Sequence, residues 1–163
     1  MQRGDKKAFA DLYKQYSNSI FRFIYFRVSD RETAKDMMQE VFTRFIEVTD
    51  RERISNIKAY LYRIAKNLVI DFYKETGRQP TISLEQTSEI ISIYGKEAIE
   101  AKIDLEIVIK VTQNLKPLWR DIVTLRIIDG LEYDEIAEVV GKSNNYIRVN
   151  LHRALKELNN RLT

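Results

Sequence analysis

The sequence predicts an all-α chain of two small helical domains joined by a flexible linker, the second domain carrying a helix-turn-helix. Three observations predict it. Apolar residues recur at i, i+3 and i+4 over most of the chain. Five Gly and two Pro in 163 residues leave little room for an all-β protein. Residues 130–158, GLEYDEIAEVVGKSNNYIRVNLHRALKEL, read as two short helices joined by a tight turn.

In chain order, Lys7 to about Val28 carries Phe9, Leu12, Tyr13, Tyr16, Ile20, Phe23 and Ile24 on one helical face, with a kink expected near Ser17-Asn18-Ser19. Ser29-Asp30 caps a second helix whose inward stripe is Ala34, Met37, Met38, Val41, Phe42, Phe45 and Ile46. Its opposite face presents Asp36, Gln39, Glu40, Thr43, Arg44 and Glu47, a polar face of the kind that ordinarily meets only water. The polar loop TDRERISN follows, and Ser55 or Asn56 caps a third helix from Lys58 to Lys74. That helix is expected to bury Leu61, Ile64, Ala65, Leu68 and Phe72. Tyr60, Tyr62, Arg63, Lys66, Asn67, Tyr73 and Lys74 are then left elsewhere on its surface. Aromatics interleaved with cations suit stacking on unpaired bases; an amphipathic helix with snorkelling cations is the plainer alternative.

From Thr76 to about Tyr94 the period lapses in a stretch rich in Ser, Thr and Gln with Gly77 and Pro80, which reads as a linker. Helical spacing resumes by Ala98 and continues through Ile103, Ile107, Val111 and Leu115. Pro117 suits the first turn of a helix bearing Leu118, Ile122, Leu125 and Ile128, closed by Gly130. The expected domains are therefore 1–78 and 98–163, joined by a linker over 79–97.

In the helix-turn-helix, Ile136, Ala137 and Val140 share one face of the first helix, Gly141 supplies the turn, and Ser143 caps the second helix. Ile147, Leu151, Ala154, Leu155 and Leu158 point inward; Asn144, Asn145, Arg148, Val149, His152 and Arg153 are left outward. Arg, Asn and an apolar group are the side chains used for major-groove readout. Charge agrees: residues 115–141 hold three Lys+Arg against six Asp+Glu, and residues 142–163 five against one. The basic side is the second helix, as a phosphate-lined groove requires. A helical hairpin with ordinary solvated charges is the alternative. Over the whole chain, residues 1–78 are basic (16 against 11) and residues 79–114 acidic (three against six), so a net charge of +3 conceals two basic units and an acidic connector.

Composition excludes much. No Cys means no disulfide and no thiolate metal site, and a single His excludes a His-rich metal or catalytic cluster. No stretch approaches the roughly 20 apolar residues needed to span a bilayer, and no signal pattern opens the chain. A cytoplasmic protein with no cofactor, no metal and no membrane insertion is expected.

Three segments, DMMQEVFTRFIE (Asp36 to Glu47), AYLYRIAKNLVIDFYK (Ala59 to Lys74) and LKPLWRDIVTLRIIDGLEYDEIAEVVGKSNNYIRVNLHRALKEL, together resemble the bacterial sigma factors, and within them the small extracytoplasmic-function group. The resemblance implies an RNA polymerase specificity subunit, not itself an enzyme, whose partners are promoter DNA and the polymerase core through its beta-prime clamp and beta flap. It implies core binding by Asp36, Gln39 and Glu40. It implies that Tyr60, Arg63 and Asn67, with the preceding loop, grip the unpaired minus-ten strand; Tyr60 stands where the family usually has Trp. Arg148, Val149, His152 and Arg153 fall at the family's minus-thirty-five contact positions, Val149 replacing a commoner Ser and Lys142 a commoner Ile. The acidic linker resembles the segment that threads the core. Regulation by an anti-sigma protein is common in the family, and the sequence itself contains no sign of one. The competing readings are a free-standing helix-turn-helix regulator, which needs a dimer's symmetry, and a sigma mimic, which needs no promoter-reading side chains.

Overall fold

The computed structural model describes residues 3–77, 112 and 114–162, and among them six α-helices and no strand. The chain divides into two compact units, Met1–Pro80 and Thr81–Thr163. The predicted linker at 79–97, and the helical spacing from Ala98 to Val111, lie outside the described residues.

In the first unit, α1 (Arg3–Val28), α2 (Arg31–Thr49) and α3 (Ile57–Thr76) each pack against the other two. α1 begins at Arg3, earlier than Lys7, and runs unbroken through Ser17-Asn18-Ser19. Its first turn has no apolar signal to reveal it, but Asp5 there complements the helix dipole. α1 ends where Ser29 takes a positive φ of 59°, its N–H donating to the Tyr25 carbonyl at 3.0 Å. Asp30 follows as the extended N-cap of α2, its carboxylate accepting from the Thr33 hydroxyl. Asn56 caps α3: its Oδ1 accepts from the Ala59 N–H at 2.9 Å, satisfying one of the donors every helix start leaves open. Gly77, left-handed at φ 66°, closes α3 with an N–H bond to Tyr73.

The core of this unit is Ile20, Phe23, Ile24, Ala34, Val41, Phe42, Leu61, Tyr62 and Ala65, all at most 2% exposed. Tyr62 corrects the surface assignment made from sequence. It is fully buried, its ring edge-on to Phe23 at 5.3 Å between centroids. The buried stripe of α3 is Ala59, Leu61, Tyr62, Ala65 and Val69, whereas Ile64, Leu68 and Phe72 are only half-buried. The predicted stripe was thus rotated by part of a turn, because α3 is apolar over most of its circumference and period alone left the centre of its inner face undetermined. Arg27, 5% exposed, lays its guanidinium 3.6 Å from the centre of the Phe23 ring and donates to the Phe23 carbonyl at 2.9 Å. The Tyr73 hydroxyl donates to the Arg27 carbonyl, tying the end of α3 to the end of α1.

In the second unit, α4 (Pro117–Ile127), α5 (Tyr133–Val140) and α6 (Asn144–Leu162) bury Ile122, Val123, Leu125, Leu131, Ile136, Ile147 and Ala154 completely. Pro117 occupies the first turn of α4, where its missing N–H costs nothing. Gly130, at φ 69°, reverses the chain so that the Leu131 N–H reaches the Leu125 carbonyl at 2.9 Å. Between α5 and α6, Gly141 at φ 72° lets its own N–H and that of Lys142 both reach the Ala137 carbonyl. Ser143 then caps α6, its Oγ accepting from the Tyr146 N–H at 3.1 Å. The Trp119 indole donates to Asn150 Oδ1 at 2.9 Å, fixing α4 against α6. Leu155, expected inward, is 39% exposed: it lies about 100° around the helix from Ala154, at the margin of the stripe formed by Ile147, Leu151, Ala154 and Leu158. Val139, unassigned by sequence, is buried instead, and Ala137 is half-buried.

Tyr62→Ala is expected to lower the unfolding free energy by about 3–5 kcal/mol, as for other large aromatics truncated in a core. Urea denaturation followed by circular dichroism reads this. A surface aromatic would shift it by only about 0.5 kcal/mol.

Candidate functional site

Three solvent-facing stripes carry the residues singled out in the sequence, two on the first unit and one on the second. On α2, Asp36, Gln39, Glu40, Thr43, Arg44 and Glu47 are all exposed, along the side opposite Ala34, Met38, Val41, Phe42 and Phe45. Glu40 accepts from Arg44 Nε at 2.9 Å, one turn further on, with both side chains about half exposed. A pair so wetted contributes only a few tenths of a kcal/mol and yields readily to a competing partner. Thr43 bonds back to the Gln39 carbonyl and stays within its own helix.

On α3, Tyr60, Arg63 and Asn67 follow at i, i+3 and i+7 and so share one face. Arg63 and Asn67 are exposed. Tyr60 is half-buried, its ring 6.3 Å from that of Phe45 on α2 at an interplanar angle of 61°. A packed edge fixes the ring and leaves part of it accessible, the arrangement a stacking platform needs. The loop before α3 exposes Arg51, Glu52, Arg53 and Ser55. Beside it, a cavity of about 430 Å³ has Asp5, Phe9, Leu12, Phe45, Ile46, Asp50 and Ile57 in its lining. Tyr60, Arg63 and Asn67 do not line this cavity, so the structure does not join it to their stripe.

On α6, Arg148, Val149, His152 and Arg153 are exposed, Val149 by 38%. Arg148 is held. Its Nε donates to Asn144 Oδ1 at 2.6 Å, and Asn144 Nδ2 donates in turn to Asp134 Oδ1 at 2.5 Å. The Arg148 guanidinium also lies over the Tyr133 ring, 4.7 Å from its centroid. Arg126 of α4 approaches the same ring at 4.8 Å while donating to the Leu131 carbonyl at 2.9 Å. Sequence reasoning gave Tyr133 and Asp134 no role. Their contacts to α6 span ten to fifteen residues across a turn, and helical period carries no signal for such pairs.

Among the described residues no three His, Cys, Asp or Glu side chains converge as a metal site, and no helix is long and apolar enough to cross a membrane.

Two helical units, a polar stripe opposite each core and a capped helix-turn-helix define the class of protein, and comparison with known proteins agrees. Residues 12–79 match the model of sigma-70 region 2, and residues 105–158 that of sigma-70 region 4. The chain is 30% identical over 173 residues to the RNA polymerase sigma-H factor of Pseudomonas aeruginosa, covering 99% of this chain and 90% of that protein. It is 29% identical over 161 residues to the extracytoplasmic-function (ECF) sigma factor BldN of Streptomyces coelicolor, covering 96% of this chain but only 61% of BldN. Its fold is similar to that of the sigma factor RpoE of Bartonella quintana, crystallised with the anti-sigma factor NepR. The TM-score is 0.69 at 20% identity, over 96% of this chain and 97% of that one. The chain belongs to the sigma-70 family of RNA polymerase sigma factors, in its ECF group.

Because Asp36, Gln39, Glu40, Arg63 and Asn67 face solvent, single alanine substitutions at these positions are expected to shift stability by less than about 0.5 kcal/mol. Denaturant midpoints check this; a loss above about 2 kcal/mol at any of them would mark that residue as structural.

Proposed function

We propose that this sigma factor gives RNA polymerase its promoter choice by three contacts, each made by one of the stripes described. The α2 face, with Asp36, Gln39 and Glu40, docks on the beta-prime clamp of the core. The α3 stripe and the loop before it hold the unpaired non-template strand of the minus-ten element. The α6 face reads the minus-thirty-five duplex, the second unit lying against the beta flap. One observation carries the reading: the matched positions face solvent on helices whose other sides build the two cores, with only Tyr60 partly packed.

The chemistry of each contact follows from its side chains. Arg148 suits a bidentate contact to guanine O6 and N7, worth about 1–3 kcal/mol of discrimination, and Val149 an apolar contact to a thymine methyl. His152 and Arg153 suit phosphates, and contacts of that kind weaken as salt rises. Tyr60 stacks on a base, Arg63 holds the backbone, and the Asn67 amide reads a base edge. Stacking of this type is worth about 1–3 kcal/mol per base and offsets the few kcal/mol spent on extruding a base from the duplex. Docking by α2 is helix packing with charge complementarity, so it governs partner choice more than fold. The sigma factor supplies position and strand capture in the cytoplasm, and the nucleotidyl transfer is the core's.

Domain limits of 1–78 and 98–163, with an acidic linker at 79–97 threading the core, belong to the same proposal; the matched spans 12–79 and 105–158 support it. An anti-sigma partner is also proposed, on the precedent of RpoE with NepR.

Templates selected by the reconstituted holoenzyme from genomic fragments test the division of labour. Asn67→Ala is expected to reduce strand opening, read by permanganate reactivity of unpaired thymines, about tenfold while upstream duplex binding persists. Arg148→Ala is expected to weaken upstream recognition by about 1–3 kcal/mol with core affinity unchanged. A free-standing regulator would instead bind these fragments equally well without core.

A further inference from the structure

The recognition helix carries its principal arginine in a fixed pose, held by Asn144 one turn back on α6 and by residues of α5. Arg148 uses Nε on Asn144 Oδ1 (2.6 Å) and presents the face of its guanidinium to the Tyr133 ring (4.7 Å). Both restraints have supports of their own. Asn144 is oriented by the 2.5 Å bond from its Nδ2 to Asp134, so its oxygen, not its nitrogen, meets Arg148. The Tyr133 ring is approached by Arg126, which the Leu131 carbonyl anchors at 2.9 Å.

With Nε and the planar face engaged, the edge left for a partner is the pair of Nη nitrogens; among the described residues no acceptor meets it. That edge is a fork of parallel N–H donors, the geometry that matches guanine O6 and N7. A long arginine side chain otherwise loses rotamer freedom on binding, and holding it beforehand reduces that loss.

We infer that Tyr133, with the Asp134–Asn144 pair, is a positioning residue that sets the Arg148 guanidinium for base readout. Specificity at the base pair read by Arg148 is then written partly in α5. The inference rests on the reading of α6 as the helix that enters the upstream element.

The test uses the full-length chain assembled with RNA polymerase core and a duplex library of random sequence, the retained fragments being sequenced. Wild type, Arg148→Ala, Tyr133→Leu, Tyr133→Phe and the Arg148→Ala/Tyr133→Leu double variant are compared. Arg148→Ala should erase the base preference at one pair of the upstream motif. Tyr133→Leu should lower the preference at that same pair by roughly two- to fivefold, the scale of an exposed cation–π contact, and leave the other pairs unchanged. Tyr133→Phe keeps the ring and should keep the preference. In the double variant the Leu change should add nothing at that pair.

Unaltered preference in Tyr133→Leu overturns the inference. So does an equal loss at every pair, which would mark a phosphate contact or a damaged fold, and so does a loss in Tyr133→Phe as large as in Tyr133→Leu. A motif that Arg148→Ala leaves unchanged would overturn the reading of α6 itself, and the positioning role with it.

Discussion

Burial of one apolar stripe per helix is the constraint on which this molecule depends. The described helices run from eight to 26 residues, and in a folded protein most of a helix's stability comes from packing its apolar face. Each is held by what it buries, at about 1.5–3 kcal/mol for a Leu, Ile or Phe side chain taken fully out of water. Having committed Ala34, Val41, Phe42 and Phe45 to the core, α2 has no choice about where Asp36, Gln39 and Glu40 point. The same necessity sends Arg63 and Asn67 outward from the helix that buries Leu61, Tyr62 and Ala65, and Arg148 and His152 outward from the helix that buries Ile147 and Leu151. The proposed contact surface and the core are two sides of one period.

Period fixes which side faces out but not how helices meet, and that is set by the turns. Gly141 in the left-handed region and Ser143 as cap bring α6 away from α5 so that Asn144 comes within reach of Asp134, and Arg148 within reach of Tyr133. A β-carbon at Gly141 would meet no atom within 4 Å, so its requirement is one of backbone angle and not of space. The turn therefore bears on the proposed readout as well as on stability.

What was legible in the sequence follows from how local each signal is. The cap at Ser143 could be read, and that of α3 narrowed to Ser55 or Asn56, because a cap needs only a side-chain oxygen and an N–H two or three residues on. The all-α class and the helix-turn-helix could be read because apolar spacing and scarce Gly and Pro both speak to them. Tyr62 was misassigned because a tyrosine on a broadly apolar helix is compatible with either side, and only packing against Phe23 decides. The first turn of α1 was missed because Arg3 to Ala8 offers no apolar period. Of the candidate site, the solvent-facing side of each helix was legible, Tyr60 being more packed than expected. The contacts among Tyr133, Asp134, Asn144 and Arg148 were not, since they depend on the approach of two helices across a turn.

Whether the proposed α2 face binds the polymerase core is decided by co-elution. The purified chain is mixed with its cognate core at modest salt, as wild type and as the Gln39→Ala/Glu40→Lys variant. Wild type is expected to co-elute, and the variant, folded to the same denaturation midpoint, is not. A variant that binds as tightly as wild type would overturn the assignment of that face, and a wild-type chain that fails to bind would overturn core binding itself.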